Sequence, residues 1–296
     1  PILACGSAHG GRSHNTPGHR VRGFSRRKTM AAQSADGFRT LTVDVEGALC
    51  VVTLNEPENL NTITLEMHDE LARVWPVVSE LKGIRCVILT GAGRAFTVGG
   101  DVKAMAEGDF VEAPGHAMFA ADRNLIYGFL SVPCPVVSAI NGDCIGLGAS
   151  LALMSDFSVM ADDARIGDPH VRVGLVAGDG GVPIWPLLVG LNRAKEALLL
   201  GRLYSAGEAK TMGLVGNVCP RDDVLSEARK LAQEIASLPP LAVQWTKLSL
   251  NKILRLALEQ SFDTSVALEM LTFMSQDHRR ATKAFVNKTA SDFEGR

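Results

Sequence analysis

The sequence predicts an α/β fold, a core of alternating strands and helices followed by a helical C-terminal appendage. Two observations carry this. Short apolar runs alternate with segments whose apolar residues recur at helical spacing, and from Asp223 onward the pattern is helical almost to the end. Leu41–Val45 and Leu49–Leu54, joined across Glu46-Gly47, read as a hairpin. Thr64 caps a helix carrying Met67, Leu71, Val74, Trp75, Val78 and Leu81, with a mild kink expected at Pro76. Cys86–Thr90 is a continuous apolar strand, followed by the loop Gly91–Gly100. Ala117–Leu130 is helical and Pro135–Ile140 a second buried strand. The turn Gly142–Gly148 leads into the apolar helix Ala149–Met154. Phe157–Ala161 and Arg165–Ile166 are strands, and Val182–Val189 and Arg193–Leu200 are helices. Ser205-Ala206-Gly207-Glu208 is a capping box opening a helix to Met212, and Val215–Cys219 is the last strand.

Composition narrows the class. With 296 residues, 46% hydrophobic and 21% charged, the chain is long enough for one large domain or two modest ones, and fibrous or wholly disordered classes are excluded. No apolar run reaches the ~18 residues of a membrane-spanning helix; Val132–Ile145 is broken by Pro133, Pro135, Asn141 and Asp143, so a soluble protein is expected, without a membrane partner. The net charge of −2 hides an asymmetry. Residues 1–29 hold six Lys/Arg and no acid, which leaves 24 basic against 32 acidic residues in the remainder. That acidic body is unlike a nucleic-acid binder, and no nucleic-acid partner is expected. Residues 1–35 read as a disordered basic tail. Its readings are an organelle transit peptide, sequence upstream of a true start at Met30, or a polybasic arm. Residues 36–230 form the core and 231–296 a helical region.

Six scattered cysteines show no C-x-x-C pair, and the absence of a signal-peptide core suggests a reducing, cytoplasmic setting, or an organelle matrix if the tail is a transit peptide. No metal site is visible and no cofactor is expected.

Chemistry is expected at two glycine-bearing turns that follow strands: Gly91-Ala-Gly-Arg94 through Thr97-Val-Gly-Gly-Asp101, and Gly142-Asp-Cys-Ile-Gly-Leu-Gly148. Each can present backbone N–H groups unobstructed by side chains, and the second opens a helix, where negative charge is favoured. Two converging N–H groups would form an oxyanion hole, although either turn alone could be a mere tight turn. Leu151 stands where a dinucleotide fingerprint needs a third glycine, so that reading fails.

Further motifs occur in order: Leu54-Asn55-Glu-Pro57 with Asn61, Arg94 to Asp101, Ala139 to Gly148, Ala164-Arg-Ile-Gly-Asp-Pro169 with Val173-Gly174, Gly178-Asp-Gly-Gly181, and Ser205-Ala with Gly213-Leu-Val215. From about Phe38 to the C-terminus the sequence resembles the crotonase superfamily of enoyl-CoA hydratases and isomerases. The resemblance implies a spiral of ββα units with a C-terminal helical trimerisation region, and a homotrimer or a dimer of trimers (a hexamer). It implies an acyl-CoA thioester substrate, as in fatty acid metabolism, with coenzyme A as part of the substrate. By position it places the oxyanion donors at the N–H groups of Gly100 and Leu147. It places coenzyme A contacts at Lys103, Phe285 and Lys288.

The chain departs from the family at the proton-handling positions. Hydratases of the family carry one glutamate after the glycine turn and another after Gly-x-Pro; here these are Ser150 and His170. Ser150 can orient water but is no ordinary base, whereas an imidazole with an unperturbed pKa near ~6.5 can move protons at neutral pH. His170 is thus either the acid/base of a variant enzyme or a residue filling a site that has lost its activity. Asp179 is a secondary candidate whose register favours capping the following helix, and Asp168 one whose side chain is expected to diverge from that of His170. Cys144 reads as a packed small residue. The segment Ala104–His116 is expected to line the acyl end of the pocket. The expected function is a hydratase-like lyase working through a stabilised enolate with His170 as acid/base. The alternatives are isomerase, decarboxylase, thioester hydrolase or an inactive acyl-CoA-binding homologue.

Overall fold

The first two apolar runs fold as β1 (Leu41–Glu46) and β2 (Leu49–Leu54), an antiparallel hairpin turning through Gly47, whose φ of +65 suits a residue without a side chain. The computed structural model describes residues 37–108 and 115–296. The basic tail at 1–35, with Cys5, lies outside them, as does part of the expected acyl-end segment. No helix among the described residues is long and apolar enough to cross a membrane.

Strands β3 (Cys86–Gly91), β4 (Val136–Ile140), β6 (Phe157–Ala161) and β9 (Asn217–Cys219) extend the hairpin in parallel, giving a six-stranded sheet in the order β1-β2-β3-β4-β6-β9. β3 and β4 are buried at every position, which is why they read as unbroken apolar runs rather than alternating ones. Helix α1 (Leu65–Glu80) is capped by Thr64, whose side chain accepts from Met67 N, and it runs on through Pro76. It packs on α3 (Gly115–Ser131), where Trp75 meets Phe129 edge-on at 4.8 Å. Between them lies the short helix α2 (Val102–Glu107), capped by Asp101 and ended by Gly108.

A second, three-stranded sheet joins β5 (Cys144–Ile145), β7 (Arg165–Gly167) and β8 (Leu203–Ser205). Helix α4 (Leu147–Met154) starts two residues earlier than its apolar run suggests, directly after Gly146 at φ +59. Next come α5 (Gly181–Val189), α6 (Leu191–Leu200) and α7 (Ala206–Met212), the last opened by the expected capping box between Ser205 and Glu208. Helix α8 (Val224–Ser237) packs on β3, β4 and β6. The chain ends in the 34-residue α9 (Pro240–Phe273) and α10 (Gln276–Asn287). α9 packs on α5 and α3, and α10 on α2. These contacts bring the C-terminal helices against the two glycine turns.

Candidate active site

The two glycine turns are tied to each other. Thr97 and Cys144 form a parallel bridge in which Thr97 N donates to Asp143 O and Ile145 N donates to Thr97 O, both at 3.0 Å. The first turn is also held from below by Asn61, which sits in the left-handed region at φ +53, a conformation asparagine tolerates. Its Nδ2 donates to the carbonyls of Ala92, Ala95 and Phe96, its Oδ1 accepts from Glu56 N, and its own carbonyl accepts from Thr97 Oγ1 at 2.6 Å. Gly99 at φ +86 then aims the chain so that Gly100 borders a small cavity of about 50 Å³, which Leu147 borders from the first turn of α4. Among the described residues neither the Gly100 N–H nor the Leu147 N–H meets a hydrogen-bond acceptor. Two unpaired donors on one cavity are what a developing oxyanion needs, each worth about 3–4 kcal/mol in the transition state.

A cluster of polar side chains meets the same cavity. Pro169 turns the chain so that the His170 ring folds back onto Asp168, pairing Nδ1 with Oδ1. The expected divergence of these two side chains is therefore corrected. Asp179 is corrected as well. Helix α5 has Gly180 at its cap with no side-chain bond, and the Asp179 carboxylate instead reaches inward. Its Oδ1 accepts from Ser150 Oγ at 3.2 Å and its Oδ2 lies 3.3 Å from His170 Nε2. The glycines around Asp179 explain this placement. A Cβ on Gly178 would lie 2.5 Å from Glu269 Oε2, one on Gly180 would lie 3.1 Å from Ser150 Cβ, and one on Gly181 would strike Asp168 Oδ2. The loop is bare so that these polar side chains can crowd it.

Three further residues had no signal in the sequence. Glu269, delivered by α9, places Oε1 3.7 Å from His170 Nε2 and is buried. His68 on α1 and Asp122 on α3 pair at 2.7 Å, and both border the cavity beside Met105, Met118, Met270 and Phe273. A glutamate inside a long helix, and a histidine and aspartate 54 residues apart, give no local pattern to find.

Electrostatics divides the protons among these groups. Burial pulls His170 down, but the carboxylates of Asp168 and Asp179 outweigh it and hold the imidazole protonated well above its usual range. Burial pushes Glu269 well up. His170 opposes this, while the neighbouring carboxylates of Asp179, Asp122 and Asp168 add to it, so Glu269 holds its proton to higher pH than an ordinary carboxylate. Burial likewise lowers His68, and Asp122 more than reverses it. The buried Cys144 thiol is pushed well up by burial, as fits a packed residue rather than a nucleophile. Asp168, His170 and Asp179 bring one possible metal-ligand atom each within 4.8 Å.

A wider cavity of about 470 Å³ opens from the same residues. It is lined by Gly100, Ile145, His170, Arg172, Leu203 and Phe285 among others. Phe285 is 63% exposed on α10 at this mouth. Lys103 on α2 and Lys288 at the end of α10 are exposed and lie outside the lining.

Residues 44–296 match the model of the enoyl-CoA hydratase/isomerase family. A solved structure of an enoyl-CoA hydratase/isomerase from Mycobacterium paratuberculosis is 38% identical, with a TM-score of 0.78 over 83% of this chain and 98% of its own. One from Pseudoalteromonas atlantica is 28% identical, with a TM-score of 0.78 over 86% and 100%. A mevalonyl-coenzyme A hydratase of Beauveria bassiana is 38% identical over 210 residues, 68% of this chain and 74% of its own.

Proposed function

From the chain's membership of the enoyl-CoA hydratase/isomerase family, we propose that it hydrates a 2-enoyl-CoA thioester, with a histidine–carboxylate cluster in place of the two glutamates. The observation that carries this reading is the meeting of two unpaired N–H groups, Gly100 and Leu147, with His170, Asp179 and Glu269 on one cavity. The thioester oxygen accepts from both N–H groups, so the electron pair pushed from the double bond rests as an enolate. Water, oriented by Ser150 and Asp179, adds its oxygen to the β carbon and gives up a proton to the Asp179 carboxylate, which returns it to His170 Nε2 once that nitrogen has passed its own proton to Glu269. The neutral Glu269 carboxyl delivers a proton to the α carbon and is recharged through His170 Nε2. Water is consumed and the enzyme returns to its starting state. Such acid/base transfer contributes typically 100- to 10,000-fold.

Coenzyme A enters at the wider mouth beside Phe285, with Arg165 and Arg172 in its lining and Lys103 and Lys288 outside it as basic side chains for its phosphates. No cofactor beyond the substrate's own coenzyme A takes part. The family's trimer, or dimer of trimers, is carried over with this reading; the exposed apolar residues Leu241, Trp245 and Leu248 of α9 are surface it could cover. The Asp168–His170 pair favours one second reading. A histidine oriented through Nδ1 by a buried aspartate also suits activation of water for attack on a carbonyl, which would make the enzyme a hydrolase.

The test is turnover of short, medium and long 2-enoyl-CoA esters by wild type and His170→Ala. Hydration predicts loss of the conjugated thioester without release of thiol, falling at least ~100-fold in the variant. Thiol release would establish hydrolysis. Equal turnover by His170→Ala would remove the histidine from the mechanism.

A further inference from the structure

The cavity has a second polar element that the hydration scheme does not use. His68 and Asp122 come from helices whose contact is otherwise built of large apolar side chains, Leu71, Trp75, Val78, Leu125, Ile126 and Phe129. Replacing a buried ion pair in such a setting by apolar groups is often neutral or stabilising, so the pair is not explained by packing. Its side chains keep 12% and 7% exposure, and both border the small cavity that Gly100, Leu147, His170, Asp179 and Glu269 also border. His68 uses Nε2 on Asp122, and its Nδ1 has no partner among the described residues.

We infer that His68 and Asp122 recognise an oxygen substituent, a hydroxyl or a carbonyl, on the acyl group beyond its reacting carbons, so that the preferred substrate is a short oxygenated acyl thioester. The inference rests on the acyl-CoA reading above and names its substrate class. The cavity's volume of about 50 Å³ admits only a few heavy atoms, since one water needs about 10–15 Å³ of such volume. A methyl or methylene there would desolvate the His68–Asp122 pair and return nothing. An oxygen would accept from Nδ1–H of the His68 imidazolium, the form that the facing Asp122 carboxylate favours. Sites built to hydrogen-bond a substrate oxygen reject the analogue lacking it by up to ~10,000-fold or more, whereas apolar pockets discriminate only ~10- to 200-fold. The methionines Met105, Met118 and Met270 complete the wall with side chains that adapt to the carbon frame.

The experiment compares kcat/KM for a plain short 2-enoyl-CoA and for the same ester bearing a distal hydroxyl or keto group, in wild type, His68→Leu and His68→Gln. Calorimetric binding of the corresponding saturated, unreactive thioesters is measured in parallel. Wild type is expected to favour the oxygenated ester at least ~100-fold, and His68→Leu to reduce that ratio at least tenfold. His68→Gln, which keeps a donor, is expected to retain part of it. Equal treatment of the two esters by wild type, or a ratio unmoved in a folded His68→Leu, would overturn the inference. Failure of hydration with the binding preference intact would sink the reaction proposed above and uphold this one. Failure to bind either thioester would overturn both.

Discussion

The substitution Asp168→Asn separates charge from shape at the centre of the site. Asp168 is fully buried, pairs through Oδ1 with His170 Nδ1, and has no partner for Oδ2 among the described residues. An amide keeps the volume and an acceptor but removes the negative charge. Two unit charges about 4 Å apart attract by about 4 kcal/mol at an effective dielectric near 20. The substitution withdraws an attraction of that order from the His170 imidazolium, along with the cost of burying the carboxylate. Stability therefore changes by the small difference of the two, while protonation of His170 changes by the whole attraction. With Asp168 neutral, burial regains weight against the remaining Asp179, and His170 titrates lower. The protonated ring, which in wild type persists well above the usual range, is then lost at lower pH, so the alkaline limb of the pH–rate profile moves toward acid. Turnover at neutral pH is expected to fall ~100- to 10,000-fold. The assays are the pH dependence of kcat on a 2-enoyl-CoA ester and a nuclear magnetic resonance titration of the ring. A variant with the wild-type rate and profile would show that Asp168 only fills space.

Gly178→Ala puts a Cβ 2.5 Å from Glu269 Oε2 and 2.6 Å from Ser265 O. α9 must back away, at a cost of about 1–3 kcal/mol in thermal unfolding and about tenfold or more in rate. Gly207→Ala, at an exposed helix position with open space around it, should instead raise stability by about 0.5–1 kcal/mol. Asn61→Ala strands three loop carbonyls and should cost about 3 kcal/mol in urea titration, lowering turnover through the Gly100 N–H. Because Glu269 is raised, the native state holds a proton that the unfolded chain loses above about pH 4.3, so its contribution falls as pH rises toward the native value. The melting temperature of wild type should accordingly decline more steeply above about pH 5 than that of Glu269→Gln.

The parts of the fold legible in the sequence are those with a local cause. β3 and β4 are buried on both faces and so are apolar at nearly every position, Thr90 and Ser138 being the polar exceptions, and the helix starts at Thr64 and Ser205 announce themselves by their caps. β8 was not legible: it is three residues long and largely exposed, and it exists because β7 offers an edge. At the site, the glycine turns and His170 were visible through their motifs. Glu269, His68 and Asp122 were not, since helix packing alone brings them to the cavity. Asp179 was visible but misdirected, because only the crowding around Gly178, Gly180 and Gly181 shows which way it must point.

The bridge between Thr97 and Cys144, clasped from below by Asn61, sets the spacing of the two N–H donors without any of the ionisable side chains on the cavity. The side chains proposed to orient water and handle protons arrive separately: Ser150 on α4, His170 after β7, Asp179 before α5 and Glu269 on α9. No side chain of this set belongs to the bridge. An engineer can therefore treat the scaffold as a fixed electrostatic anvil with four exchangeable tools. Installing glutamates at 150 and 170 with glutamine at 269 would ask whether a conventional hydratase can be rebuilt without disturbing a single main-chain hydrogen bond of the oxyanion turns.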